Sequence, residues 1–374
     1  MVIGGGVMGA STLFHLAEAG VENALLVERG QLASGSTSRA AGGVRAQFSD
    51  ALNVEIAQRS LRAFRDFGRR PGREIDLHQV GYLFLLDSAQ DVDAFTASIA
   101  IQREYGVPSL VLTPSEAKSL NPLVETQGLL AAAFSPEDGY VTPEAVVQGY
   151  AVAARALGAH VAVGCEVQGV DTRGGEIEAV RTSRGVIETS AVICAAGAWS
   201  SSIAAMVGVN LPVTPLRRQI LFTEPIADLP PRLPMTIDFG TSFYFHREGP
   251  GLLMGMSWPG ERPGFSVEVT DDWLPDLLAA IERRAPRIAQ AGIRTGWAGL
   301  YEVSPDHNAM IGEARSPSRF LYATGFSGHG FLQGPAVGEI MRDLWLGHPP
   351  FVDVTPLSSE RFARGSERPE LNIV

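Results

Sequence analysis

The chain has 374 residues, 45% hydrophobic and 19% charged, which is ordinary for a soluble globular protein of about two domains and excludes disordered and fibrous classes. A formal net charge of −11 argues against a nucleic-acid partner, because phosphate binding needs a surplus of Lys and Arg on one face. The basic residues are almost all arginine, with Lys118 the single lysine, so cationic chemistry falls to arginine or histidine.

The opening residues predict a βαβ unit. A short strand ends at Gly4, a helix covers about Val7 to Ala19 with Leu13, Leu16 and Ala17 on one side, and a strand runs from Ala24 to Glu28. A Gly/Ser-rich loop, Ser34 to Gly43, precedes a helix over about Ala51 to Phe67, and Gly81 to Leu86 reads as a strand. Thr113 and Glu116 predict a capping box with Pro114 in the first turn; Thr142-Pro143 opens another helix, which Gly158 can terminate. From Val161 to Ala195 short strands alternate with turns, a predicted β-meander, although Ala191 to Ala195 is apolar throughout, as a central parallel strand requires. Ser242 to Met256 predicts a hairpin and Trp273 to Arg284 a helix. Phe320 to Leu346 predicts a strand, a glycine-rich loop and a helix beginning near Pro335.

Thr189 to Leu216 carries no charge and is long enough to cross a bilayer, but Gly197, Ser200-Ser201-Ser202, Asn210, Pro212 and Pro215 interrupt it. A strand, short helix and loop are expected there, with no membrane span. No signal peptide is expected, because the given sequence opens directly inside a strand. Cys165 and Cys194 are not spaced as a metal pair or redox dithiol, and no two histidines stand at metal-ligand spacing. Buried reduced thiols, no metal and a cytoplasmic location are the expectation.

Gly4-Gly5-Gly6-Val7-Met8-Gly9 fits G-x-G-x-x-G between a strand and a helix, where glycine lets a pyrophosphate approach backbone N–H groups. Glu28 ends the next strand, placed to accept hydrogen bonds from a ribose hydroxyl. The small hydroxyl-rich loop from Ser34 favours FAD over NAD, because the longer ribityl chain must pass backbone and hydroxyl donors.

Three stretches, SGSTSRAAGGVR (Ser34 to Arg45), AAGAWS with Gly197 and Trp199, and TGFSGHGFLQ (Thr324 to Gln333), resemble the D-amino-acid oxidase superfamily in its sarcosine, dimethylglycine and glycine oxidase branch. VGYLFLL, ending at Leu86, and FSPEDGYVTP, ending at Pro143, most resemble β subunits of heteromeric sarcosine oxidases and dye-linked L-proline dehydrogenases. The βα-like parts lie at both ends and in the middle of the chain with antiparallel-looking insertions between them, so an α/β + α+β fold of two interleaved domains is expected. A Rossmann-like FAD-binding domain would comprise 1–80, 142–212 and 296–374, and an antiparallel-sheet substrate domain 81–141 and 213–295.

The resemblance implies an extended FAD. Gly4, Gly6 and Gly9 would hold the pyrophosphate, Glu28 the adenosine ribose, and Val167 would lie beside the adenine. Ser36, Thr37, Arg39, Gly42 and Gly43 would line the ribityl and flavin region. Gly325, Ser327, Gly328, His329 and Gly330 would sit at the pyrimidine edge, where the following helix end can stabilise an anionic ring. Val7, Met8, Arg29, Ala41, Ala196, Gly197, Trp199, Phe331 and Leu332 belong to the same expected cofactor site. Gly299 replaces the cysteine that relatives of the monomeric type use for covalent attachment, so the FAD is expected to be non-covalent.

Arg45 matches the arginine that grips the substrate carboxylate, though it can instead pair with a buried acid. Tyr244 and Tyr301 match positions near the substrate, with core aromatics the other reading, and His329 completes the expected catalytic set. Leu332 stands where a second cationic anchor is often lysine; Arg217, Arg218 and His246 are open substitutes. Leu253 stands where a flavin-facing lysine promotes reaction with O2. Electrons would then pass to a dye, quinone or partner subunit, unless Arg or His supplies that charge. The resemblance implies sarcosine oxidase-like oxidation of a small secondary amino acid through an imine. The rivals are a dye- or quinone-linked L-proline dehydrogenase-type β subunit and, in another class, a non-catalytic flavoprotein scaffold or assembly factor.

Overall fold

A computed structural model describes residues 1–373, so the final residue of the 296–374 segment lies outside the described residues. The chain builds two principal sheets. The first has six strands in the order 310–313, 320–324, 192–194, 2–3, 25–27 and 160–162. All are parallel except Met310–Glu313, which is antiparallel at one edge. One face, through Val2, Leu26, Ile193 and Leu321, packs on helices Val7–Glu18, Ala51–Arg65, Pro143–Ala156 and Gly330–Leu346. The other, through Ile3, Val27, Val192 and Cys194, packs on a three-stranded antiparallel sheet of Val167–Arg173, Glu176–Thr182 and Gly185–Glu188. Burial on both faces explains the apolar runs. The expected meander is therefore these three strands, while the ends of that stretch join the parallel sheet.

The second sheet has eight strands in the order 293–303, 214–223, 251–256, 243–248, 235–238, 82–86, 131–135 and 110–112. It is antiparallel except where Met235–Asp238 runs parallel to Tyr82–Leu86 and so joins two distant chain segments. Strand Ile293–Val303 pairs with Thr214–Thr223 along its length, so a boundary at 296 cuts a continuous strand, and 296–303 packs with the large sheet. Gly43–Val44 pairs with Gly139–Tyr140, tying the Gly/Ser-rich loop to the same region.

The helix expected to begin near Pro335 begins at Gly330, with Pro335 inside it. Proline removes one helical N–H, and the next one, on Ala336, donates to Ser60 Oγ at 3.1 Å. This helix crosses Val7–Glu18 so closely that a Cβ on Gly338 would lie 2.1 Å from Ser11 Oγ. Cys165 and Cys194 are free and buried, and burial pushes the Cys194 thiol up to about 11. Among the described residues no helix is long and apolar enough to cross a membrane.

Candidate active site

The N-terminal turn is shaped by steric necessity. Gly4 adopts φ +115°, and a Cβ there would lie 2.2 Å from Ala195 O; a Cβ on Gly9 would lie 1.9 Å from Gly4 O. Helix Val7–Glu18 consequently starts with Gly6 as a cap that offers no side chain, and with no acid in its first turn. Bare N–H groups at a positive helix end form an anion site. Thr37 Oγ1 accepts from Val7 N at 3.2 Å. Glu28 braces the turn, its two carboxylate oxygens accepting from Gly5 N and Gly30 N, each at 2.7 Å. A carboxylate oxygen has room for a further donor, so a ribose hydroxyl is still accommodated.

From this turn runs a cleft of about 550 Å³. Gly4, Gly6, Val7, Met8, Glu28 and Arg29 line one end together with Val167. Ser36, Thr37, Arg39, Ala196, Gly197 and Trp199 line its middle-chain contributions, and Tyr301, Gly328, Gly330 and Phe331 come from the C-terminal segments. Arg29 lies over the Trp199 ring at 3.8 Å, and Trp199 stacks on Phe265, which also lines the cleft. Gly9 packs behind the turn. Gly325 and Ser327, expected at the flavin, line neither this cleft nor its neighbour. Ser327 Oγ accepts from Ser304 N at 3.1 Å and donates to Gly325 O at 3.2 Å, so it shapes the loop.

Next to the cleft lies a cavity of about 90 Å³ lined by Ala41, Gly42, Gly43, Arg45, Tyr244, His329 and Leu332. Arg39, Arg218, Tyr301, Gly328 and Phe331 line both spaces and mark their junction. Gly328 is required there: its φ is +98°, and a Cβ would meet the Tyr301 ring at 2.5 Å. Arg45 is 3% exposed and forms no ion pair among the described residues. Its Nη1 donates to Gln47 O and its Nη2 to Asn372 O at 2.7 Å, while Phe48 packs under the guanidinium at 4.4 Å. The alternative of a direct pair with a buried acid is thus not the arrangement seen.

Burial sets the protonation states. It pushes the Tyr82 hydroxyl up to about 12 and raises Tyr244 and Tyr301, so all three phenols stay neutral donors. Burial, reinforced by Arg45, holds His329 well below the usual imidazole range, and the ring is neutral. Phe48 meets that ring edge-on at 5.1 Å. Burial pushes Glu302 up to about 7; its Oε2 accepts from Thr324 Oγ1 at 2.8 Å and Gly325 N at 3.2 Å.

A family model described as FAD dependent oxidoreductase matches residues 1–344. The chain belongs to this family. The glycine turn, the helix end without a side-chain cap and the cleft of about 550 Å³ that both help to line fit FAD, and Gly299 at the cleft wall has no thiol to attach it. Mitochondrial sarcosine dehydrogenase of Mus musculus is 30% identical over 93% of this chain and 39% of its own length. Mitochondrial dimethylglycine dehydrogenase of Mus musculus is 29% identical over 97% of this chain and 44% of its own. The chain therefore spans less than half the length of these curated relatives. The crystal structure of L-proline dehydrogenase from P. horikoshii matches with TM-score 0.92 and 33% identity, covering 98% of each chain. That of glycine oxidase from Geobacillus kaustophilus matches with TM-score 0.85 and 26% identity, covering 96% of this chain and 97% of its own.

Sequence reasoning missed several contributors. Tyr82, Ile220, Met235 and Ile237 line the small cavity, and Glu302 the cleft. For Tyr82 the signal was present, since it begins the strand within VGYLFLL. The contact of Asn372 with Arg45 joins residues far apart in sequence, and no local pattern announces it.

Proposed function

We propose that this flavoprotein oxidises the C–N bond of a small secondary amino acid, with sarcosine as the leading substrate. The observation that carries this reading is the 90 Å³ cavity that meets the cofactor cleft and holds arginine and tyrosine side chains but, among the described residues, no carboxylate paired with Arg45. Its size suits a small amino acid, and the arginines that line it suit the acid group. FAD, when bound, accepts a hydride equivalent from the substrate carbon.

The chain's own contribution is positioning and electrostatics. Arg45 attracts the carboxylate, and the neutral His329 and the phenols of Tyr82, Tyr244 and Tyr301 line the space left for the amine without adding charge of their own. The amine must lose its ammonium proton before it reacts. Oxidation removes two electrons and two protons to give an imine, which water hydrolyses to glycine and formaldehyde if the substrate is sarcosine.

L-Proline is the second reading, favoured by the 33% identity to L-proline dehydrogenase over 98% of both chains. Leu253 packs with Tyr244 and Ala41 where a lysine would promote reaction with O2, and Lys118 lies on helix Pro114–Leu120 by the far edge of the large sheet. A dye, quinone or partner subunit is accordingly the proposed electron acceptor. Anaerobic mixing with sarcosine, dimethylglycine, glycine and L-proline tests the reading, with peroxide release and dye reduction measured in parallel. Bleaching of the yellow absorbance by one of the secondary amino acids supports it. Bleaching by none of the four rejects it.

A further inference from the structure

Three cations were open as a second anchor, and the structure separates them. Arg217 is committed: its Nε pairs with Glu261 Oε2 at 2.9 Å, and its Nη2 reaches Thr270 Oγ1 at 3.3 Å. His246 has one ring nitrogen 2.8 Å from Arg247 O and the other 3.0 Å from Ala41 O. Burial pulls that imidazole down to about 4, so it is neutral, owns one N–H and satisfies only one of the two carbonyls. It is a brace for the flavin loop and supplies no charge.

Arg218 differs from both. Its Nη1 donates to Arg217 O at 3.0 Å, but its Nε is buried and has no hydrogen-bond partner. No carboxylate lies within ion-pairing distance of it among the described residues. The guanidinium stands over the Tyr301 ring at 5.1 Å, at the junction where both the cleft and the small cavity open onto it. A buried N–H without an acceptor costs free energy, and a site that retains one is completed when a ligand accepts from it. The free Nε edge of arginine is also the edge that presents two parallel N–H groups to a carboxylate. Arg45, by contrast, spends both of its Nη groups on the Gln47 and Asn372 carbonyls.

We propose that Arg218 is the second substrate anchor, receiving the carboxylate of the amino acid on its free Nε edge in the cavity it shares with Arg45. This rests on the amino-acid oxidation reading and adds the residue that selects acid-bearing amines over neutral ones. Arg45 then contributes long-range attraction from a fixed position, and Arg218 the directional pair of hydrogen bonds.

The test uses the holoenzyme and two probes of one shape, pyrrole-2-carboxylate and pyrrole-2-carboxamide, with binding read from the perturbation of flavin absorbance. Arg218→Gln should weaken the carboxylate on the order of 10- to 100-fold and leave the carboxamide within about threefold, with FAD content unchanged. Arg218→Lys keeps the charge and loses the paired geometry, so the carboxylate should weaken by about three- to tenfold. If Arg218→Gln does not fold, the lysine variant carries the test. An unchanged preference for carboxylate over carboxamide overturns the assignment. So does loss of FAD from the variant when the refilled enzyme keeps that preference, since the residue would then serve the cofactor. Failure of every amino acid to reduce the wild-type flavin is a separate result, which rejects the underlying reading whatever the probes do.

Discussion

Asp138 offers a perturbation whose size follows from its surroundings. Its side chain is 0% exposed, with Oδ1 accepting from Ala46 N at 3.2 Å and Oδ2 from Gln47 Nε2 at 3.3 Å, directly beneath the segment that carries Arg45. Burial pushes the carboxyl from 3.8 up to about 7, against the pull of those hydrogen bonds and of Arg45. Below pH 3.8 both folded and unfolded chains hold the proton, so the group contributes no pH dependence. Between 3.8 and about 7 the folded chain keeps a proton that the unfolded chain has released, and stability falls as pH rises. At about 1.4 kcal/mol per pH unit, the loss reaches about 4 kcal/mol by pH 8. Asp138→Asn cannot titrate. Urea unfolding of both proteins from about pH 4.5 to 8.5 should therefore show near-equal stability at the acid end and a variant more stable by several kcal/mol at the alkaline end. Parallel curves would refute the reasoning, because the carboxyl would then be ionised, or neutral, across the whole range.

Other outcomes follow from the same geometry. Arg45→Lys should raise KM for the amino acid by about two- to fivefold with FAD content intact, because a lysine keeps the charge but cannot reproduce the guanidinium's fixed contacts to the Gln47 and Asn372 carbonyls; an unchanged KM removes Arg45 from the substrate site. Gly9→Ala drives a Cβ into the Gly4 carbonyl and should reduce retained FAD, read as the ratio of flavin to protein absorbance; full retention contradicts the steric account. Arg284 is 0% exposed and bonds Asp238 at 2.6 Å and Asp87 at 2.8 Å; Asp87 keeps Arg283, but Arg284→Met strands the buried Asp238 carboxylate and should cost about 3–5 kcal/mol in urea unfolding. Loss of less than about 1 kcal/mol would mean that the pair is solvated.

The elements legible in the sequence are those whose signals are local. The G-x-G-x-x-G turn, the Thr113–Glu116 capping box and the 243–256 hairpin each depend on residues a few positions apart, and each is found where the pattern puts it. Helix Ala89–Glu104 was overlooked, although Ser88 caps it through Asp91 N at 3.1 Å. Its buried side holds only Phe95, Ser98, Ile99 and Gln102, half of them polar, so no clear apolar stripe repeats. The helix start at Gly330 was misplaced because Pro335 read as a first-turn residue, whereas Ser60, from another helix, takes the N–H that follows the proline. The small cavity was half legible. Arg45, Tyr244 and Tyr301 carried motif signals, but the choice of Arg218 over Arg217 depends on Glu261, a partner in a distant loop. Pairings set by tertiary structure leave no trace in spacing.

The whole account depends on FAD seating in the glycine turn with its ring at the junction of cleft and cavity. The most direct measurement is titration of the apoprotein with FAD, with NADH in parallel, followed by the change in cofactor fluorescence and by chromatography of the nucleotide that remains bound. The account predicts saturation at one FAD per chain and no competing uptake of NADH. A protein that takes up no FAD, or that holds nicotinamide nucleotide in preference, would contradict it.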